Sequence, residues 1–372
     1  MNDDVMSIEG YDYIEFYVGN AVQAAHYYAT AFGFGLFAYQ GPETGVRDRV
    51  SFAMQQDRLR FVFTGSLDPD SAVSRHHRAH GDGVRDVAFR VPDASGAFRA
   101  ATTRGATPHR SPETIVDDHG TVTLAAIKTY GDTIHTFVER TGYGSGEAYG
   151  EFFLPGYSPR SWETPRAPTG LKYIDHVVCN VGLGDMDTWA RFYADVMGFT
   201  QLAHFNDDQI STDFTALMSK VLWDGEGRIK LPINEPAAGK KKSQIEEYLD
   251  FYGGPGVQHL ALATNDIVGT VAALRTTGIE FLTVPGTYYD DLRVRLDWTR
   301  INSDIDALAE LGILVDQDDE GYLLQIFTKP VQDRPTLFYE IIERHGSRGF
   351  GVGNFKALFE SIEREQGRRG NL

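Results

Sequence analysis

Apolar and polar positions alternate through two short stretches, DYIEFYV (12–18) and KYIDHVV (172–178), and so predict two strands. Each is followed by a segment with apolar residues at helical spacing. AHYYATAFGF (25–34) and ARFYADVMGF (190–199) agree at five of ten positions, and both end on a glycine suited to a helix C-cap. The pattern recurs further on. GVRDVAFRVPDASGAFRAATTRG (83–105) aligns without gaps to GVQHLALATNDIVGTVAALRTTG (256–278), matching at eight of 23 positions. Each copy reads as a strand, an aspartate N-cap (Asp93, Asp266), an amphipathic helix and a closing glycine. Thr136–Gly142 and LFYEIIERHG (337–346) form a last echo, anchored by Glu139-Arg140 and Glu343-Arg344. DRVSFAM, LRFVFTG and TVTLAAIK supply further strands separated by turn residues.

The chain therefore reads as an α+β protein of two tandem copies of one module, with helices outside curved mixed sheets. The proline-bearing stretch that begins GYGSGEAYG suits an irregular connector over 142–170. The expected organisation is a non-catalytic module at 8–141, that connector, and a catalytic module with a terminal helix at 171–372. A length of 372 residues accommodates two domains.

Composition narrows the function. No apolar run approaches the ~20 residues of a membrane span, and MNDDVMSIEG lacks the features of a signal peptide. Cys179 is the single cysteine, which excludes an intrachain disulfide and fits a reducing cytoplasm. A net charge of −17 argues against nucleic acid or anionic membrane as partner. An anionic substrate would need strong local positive charge, which a metal ion could provide.

The duplication provides an internal control. His176 aligns with Phe16, His259 with Asp86, and Glu340 with Thr136. Two histidines and one carboxylate on separate strands are the donor set of a non-haem Fe(II) centre with open positions for substrate and O₂. A single strand histidine is more often a satisfied core residue; the three replacements together favour a metal. SRHHRAH holds His76, His77 and His80, with His76 and His80 at i, i+4, but lacks the acidic helper of a zinc helix and reads as a solvated helix.

LPINEP (231–236), KKKSQIEEYL (240–249), GGPGVQHLAL (253–262), GYLLQIFTKPVQDRPTLFYEIIERHG (321–346) and GFGVGNFKALFESIE (349–363) resemble the 4-hydroxyphenylpyruvate dioxygenase family over nearly the whole chain. The resemblance implies two vicinal-oxygen-chelate modules and one Fe(II) per chain held by His176, His259 and Glu340. It implies that 4-hydroxyphenylpyruvate and O₂ become homogentisate and CO₂ in tyrosine catabolism, by oxidative decarboxylation, ring hydroxylation and side-chain migration. It also implies a cytoplasmic homo-oligomer, dimer or tetramer. Substrate-pocket positions carried over are Ser219, Asn234, Gln244, Gln258, Gln325, Phe327, Phe338, Phe350, Asn354 and Phe355, with Phe327 and Phe355 enclosing the ring. Strand alternation supports Gln325 with Phe327 and Phe338 with Glu340, but sets Gln258 opposite His259 unless a bulge intervenes. Val352 departs from the lysine that many members carry.

FKALFESIEREQ (355–366) has apolar residues at 355, 358, 359 and 362 after a glycine-rich approach, and reads as a lid helix. Two rival readings remain. 4-Hydroxymandelate synthase acts on the same substrate, but Pro232, Asn234 and Phe355 match the ring-hydroxylating family. A metal-free binding protein on the same fold should lack the three ligands in its second half.

Overall fold

The computed structural model describes residues 6–143, 152–163, 167–205, 217–237 and 241–371. Two curled mixed sheets carry the fold. The first runs, edge to edge, Pro108–Asp117, Gly120–Lys128, Ile134–Thr141, Gly83–Arg90, Gly10–Val18, Leu59–Ser66, Arg49–Gln56, Gly35–Gln40 and Ser158–Pro159. The second runs Thr200–Phe205, Leu217–Trp223, Lys230–Pro236, Leu171–Asn180, Gly256–Thr264, Phe338–His345, Tyr322–Phe327 and Leu314–Gln317. Read in opposite directions, the two orders superimpose strand for strand from the first edge of one to Gly35–Gln40.

The duplicated helices form as their caps predict. Ala21–Phe32 and Met186–Met197 end on Gly33 and Gly198, both at φ 75°, a left-handed conformation that glycine adopts without penalty. Asp93 and Asp266 each accept a hydrogen bond from a backbone N–H three residues on. One apolar core runs through both halves, holding Phe16, Tyr28 and Phe61 together with Tyr193, Leu260 and Tyr339. Tyr28 and Tyr339 share a hydroxyl–hydroxyl hydrogen bond of 2.7 Å across the seam.

Strand register corrects one pairing expected from the sequence. Tyr13 lies opposite Ala88, and His176 lies opposite Ala261, the repeat partner of Ala88. His176 thus holds the place of Tyr13, three residues from Phe16. The shared letters of YIEFYV and YIDHVV lie three residues out of the strand register, and both ladders carry the same two bulges. The ladder skips Asp12 and Arg85 in the first sheet and Asp175 and Gln258 in the second. Asp86 and His259 remain equivalent, as do Thr136 and Glu340, since Asp86 is level with Ile134 and His259 with Phe338.

The hollow faces of the two sheets are filled differently. GYGSGEAYG lies mostly outside the described residues, but Phe153 and Leu154 from the same connector plug the first hollow against Tyr13, Val62 and Val138. In the second, the helix Phe355–Arg369 lies across the hollow.

Candidate metal centre and substrate cavity

His176, His259 and Glu340 sit on three adjacent strands and are buried. His176, Ala261 and Glu340 form one row across the sheet, with His259 two residues along its strand. Both imidazoles present Nε2 to the same carboxylate oxygen: Glu340 Oε2 is 3.1 Å from His176 and 3.5 Å from His259. Donors about 2.0–2.2 Å from one cation and near right angles to each other lie roughly 3 Å apart, so the set fits a metal ion. Among the described residues these three form the one group of that kind.

The remaining ring nitrogens point outward. His176 Nδ1 is 2.8 Å from Asp175 Oδ1, and His259 Nδ1 is 3.0 Å from Gln258 Oε1. Residue i−1 normally faces away across a strand; at both positions the bulge brings it to the same side. Gln258 therefore lines the cavity beside His259, which strict alternation forbids.

Electrostatics agree with a cation site. Burial alone would raise the Glu340 carboxyl, but His176 and His259 outweigh it and hold it at about 2. Burial would lower His176, yet Glu340 and Asp175 lift it above the ordinary imidazole range. His259 falls below that range because burial exceeds the pull of Glu340. For Asp175, burial is overcome by Arg344, His176 and Lys230, which keep it well below the usual carboxylate range.

The three converging donors open into a cavity with an aromatic wall. Phe338 stacks on the His259 ring at 4.8 Å, Phe327 meets it edge-on at 6.0 Å, and Phe350 meets His176 at 5.1 Å. Ser219 and Asn234 face each other on neighbouring strands, and Asn234 Nδ2 donates to Asn180 Oδ1 at 3.4 Å. Both line the cavity together with Gln244, Gln258 and Phe355. The helix contributes Phe355, Leu358, Phe359 and Ile362, the four positions of the expected apolar stripe.

Two carried-over positions lie elsewhere. Gln325 and Asn354 are buried but are not among the cavity-lining residues. A Cβ on Gly351 would come within 2.3 Å of Gln325 Nε2, and Gly351 has φ 72°, so glycine is required where the approach to the helix crosses this side chain. Asn354 accepts from the Tyr288 hydroxyl at 2.6 Å. Val178, Phe205, Leu217 and Val221 also line the cavity; Leu217, Ser219 and Val221 alternate on one face, a signal the sequence does contain.

SRHHRAH forms a helix, Ala72–His80, but not a solvated one. His76 and His80 are 4% and 7% exposed, because Tyr252 of the second half stacks on His80 at 4.4 Å. A wider, open cleft lies between the halves. There Lys329 pairs with Glu280, His77 Nε2 lies 3.2 Å from Asp82, and Arg334 donates to the carbonyls of Ala79 and Phe251, so the tighter cavity at the three converging donors is the better candidate.

Residues 2–150 match the family described as "Hydroxyphenylpyruvate dioxygenase, HPPD, N-terminal". Residues 173–326 match "Glyoxalase/Bleomycin resistance protein/Dioxygenase superfamily". The chain is 49% identical to 4-hydroxyphenylpyruvate dioxygenase of Danio rerio, covering 97% of this chain and 92% of the relative. The protein of that name from Dictyostelium discoideum is 46% identical, at 98% and 100% coverage. A triple mutant of 4-hydroxymandelate synthase from Streptomyces coelicolor superimposes with TM-score 0.85 at 33% identity, covering 97% of this chain and all of that one. A fusion protein of a xylose isomerase-like TIM barrel and 4-hydroxyphenylpyruvate dioxygenase shares the fold, with TM-score 0.72, 22% identity, and coverage of 97% and 53%.

Proposed function

The chain belongs to the 4-hydroxyphenylpyruvate dioxygenase family, and from that premise we propose that His176, His259 and Glu340 hold one Fe(II) at the working centre of the enzyme. It converts 4-hydroxyphenylpyruvate and O₂ to homogentisate and CO₂, a step of tyrosine catabolism. The convergence of both Nε2 atoms on Glu340 Oε2 inside an aromatic cavity is the observation that carries the metal reading. Two imidazoles and one carboxylate leave coordination positions open for substrate and O₂, as in the non-haem Fe(II) oxygenases.

Bound there, Fe(II) supplies the redox chemistry of O₂ activation, with the 2-oxo acid as the source of two electrons. The protein's own groups bind, orient and dry the substrate. Phe327, Phe338, Phe350 and Phe355 enclose the phenol ring and keep water from the reacting carbon. Ser219, Asn234, Gln244 and Gln258 offer hydrogen bonds to the substrate's polar ends. Gln325 and Asn354 act one layer back, on the approach to the terminal helix. That helix is the lid: Ser361 Oγ and Arg364 both bond the Thr283 carbonyl, and Arg369 pairs with Glu247 at 2.6 Å.

Residues 171–372 form the catalytic module and residues 8–141 its support. Among the described residues no helix is long and apolar enough to span a membrane. Family membership favours a cytoplasmic dimer or tetramer. The synthase reading is less favoured, at 33% identity against 45–49% for the dioxygenases. The deciding experiment is O₂ uptake with 4-hydroxyphenylpyruvate and Fe(II), with the product identified by NMR. Homogentisate is expected; its isomer hydroxymandelate, or no uptake, overturns the reading.

A further inference from the structure

Asp175 occupies a bulge beside a metal ligand, and the first half shows what the same carboxylate does without one. Its repeat partner is Asp12. Arg140 grips Asp12 with Nε on Oδ2 at 3.0 Å and Nη2 on Oδ1 at 2.6 Å, and Arg60 lies 3.8 Å away. Arg344 grips Asp175 in the same way, at 2.7 and 2.8 Å, with Lys230 3.3 Å away in the place of Arg60. The carboxylate and its two cations are thus a duplicated structural unit. One contact is added in the second half: Asp175 Oδ1 also takes the Nδ1 edge of His176. Tyr13, the residue after Asp12, instead donates its hydroxyl to Asp86.

We propose that Asp175 is a positioning residue for His176, clamped by Arg344 so that the ring is fixed in one tautomer with Nε2 free to bind metal. This rests on the assignment of His176 as a ligand. The logic is one of donors and acceptors. A carboxylate held by two cations stays ionised and can only accept, so Nδ1 carries the proton and Nε2 keeps its lone pair. Gln258 accepts from His259 through a neutral amide oxygen. The two imidazoles are therefore unequal, His176 being the more basic donor. Arg344 reaches further, donating to the carbonyls of Ser347 and Gly349 just before Phe350. One guanidinium thus braces both the ligand's support and the loop that leads to the lid.

The test is Co(II) titration of the metal-free full chain, read by the visible absorption of the bound ion, with thermal unfolding measured in parallel. Asp175→Asn is expected to weaken Co(II) binding about 10–100-fold and to shift the absorption bands. Asp12→Asn disturbs the twin pair and is expected to cost comparable stability while leaving affinity and spectrum unchanged. Arg344→Lys keeps the charge but loses the fork, and is expected to change affinity in the same direction by less. It keeps the question open to measurement should Asp175→Asn fail to fold. Wild-type affinity and spectrum in Asp175→Asn, or in Arg344→Lys where only that variant folds, would overturn the proposal. His176→Ala separates the two readings: if it binds Co(II) like wild type, the ligand assignment itself fails.

Discussion

Tyr13 stands in the first sheet where His176 stands in the second, and its hydroxyl is 3.2 Å from Asp86, which holds the place of His259. Thr136, in the place of Glu340, donates its backbone N–H to the same carboxyl at 3.0 Å. The first half thus satisfies its equivalent position internally with hydrogen bonds, where the second leaves three donors facing one point.

That closed arrangement has a pH signature. Burial pushes the Asp86 carboxyl up to about 7, despite the hydrogen bonds from Thr136. A carboxyl that ionises near 7 when folded and near 3.9 when unfolded binds its proton more tightly in the native state. Its contribution is present in full below about pH 3.9, declines as pH rises from there to about 7, and is lost above it, by at most about 4 kcal/mol in all. Asp86→Asn is expected to flatten this decline and to stabilise the protein at pH 8 relative to pH 5. Urea unfolding at the two pH values checks it; an unchanged pH dependence would refute it.

Removal of a ligand should separate metal from fold. His259→Ala and Glu340→Gln are each expected to lower O₂ uptake by more than the ~10–100-fold of an outer-shell change. Circular dichroism should stay that of a folded protein. Bound iron, measured after gel filtration, should fall well below one per chain in both.

Loss of the terminal helix should affect turnover more than metal. Truncation before Phe355 removes one wall of the cavity but none of the three ligands. Turnover is expected to fall at least about 100-fold from lost substrate positioning, while Fe(II) affinity stays within a few-fold. Oxygen-electrode assays beside metal titration distinguish the two effects, and intact turnover would end the lid assignment.

Tyr28→Phe tests the seam between the halves. It leaves the Tyr339 hydroxyl buried without its 2.7 Å partner, at an expected cost of about 1–3 kcal/mol. The midpoint of urea unfolding should fall with little change in slope. No shift would mean that water or another group takes the bond.

Much of this was legible in the chain. The helices announce themselves through Asp93, Asp266, Gly33 and Gly198, and the converging donor set through the contrast of His259 with Asp86 and Glu340 with Thr136. What escaped has a common physical origin. Bulges at Asp12, Arg85, Asp175 and Gln258 leave no mark in a one-dimensional pattern, and neither does cross-strand register: by letters YIEFYV matches YIDHVV and sets His176 against Phe16, three residues from its partner Tyr13. The same irregularity hid Asp175, whose role depends on facing its neighbour's side. The burial of His76 and His80 comes from Tyr252, more than 170 residues away, and no local pattern records such a contact.

The bulges also speak to descent. They occur at matching places in a half that has Tyr13, Asp86 and Thr136 instead of donors, so the bent backbone does not depend on a metal for its existence. At these places the two halves differ in three side chains and in what fills the hollow, not in the kinks of the main chain. A second centre installed in the first half by design would have to displace Phe153 and Leu154 from the hollow as well.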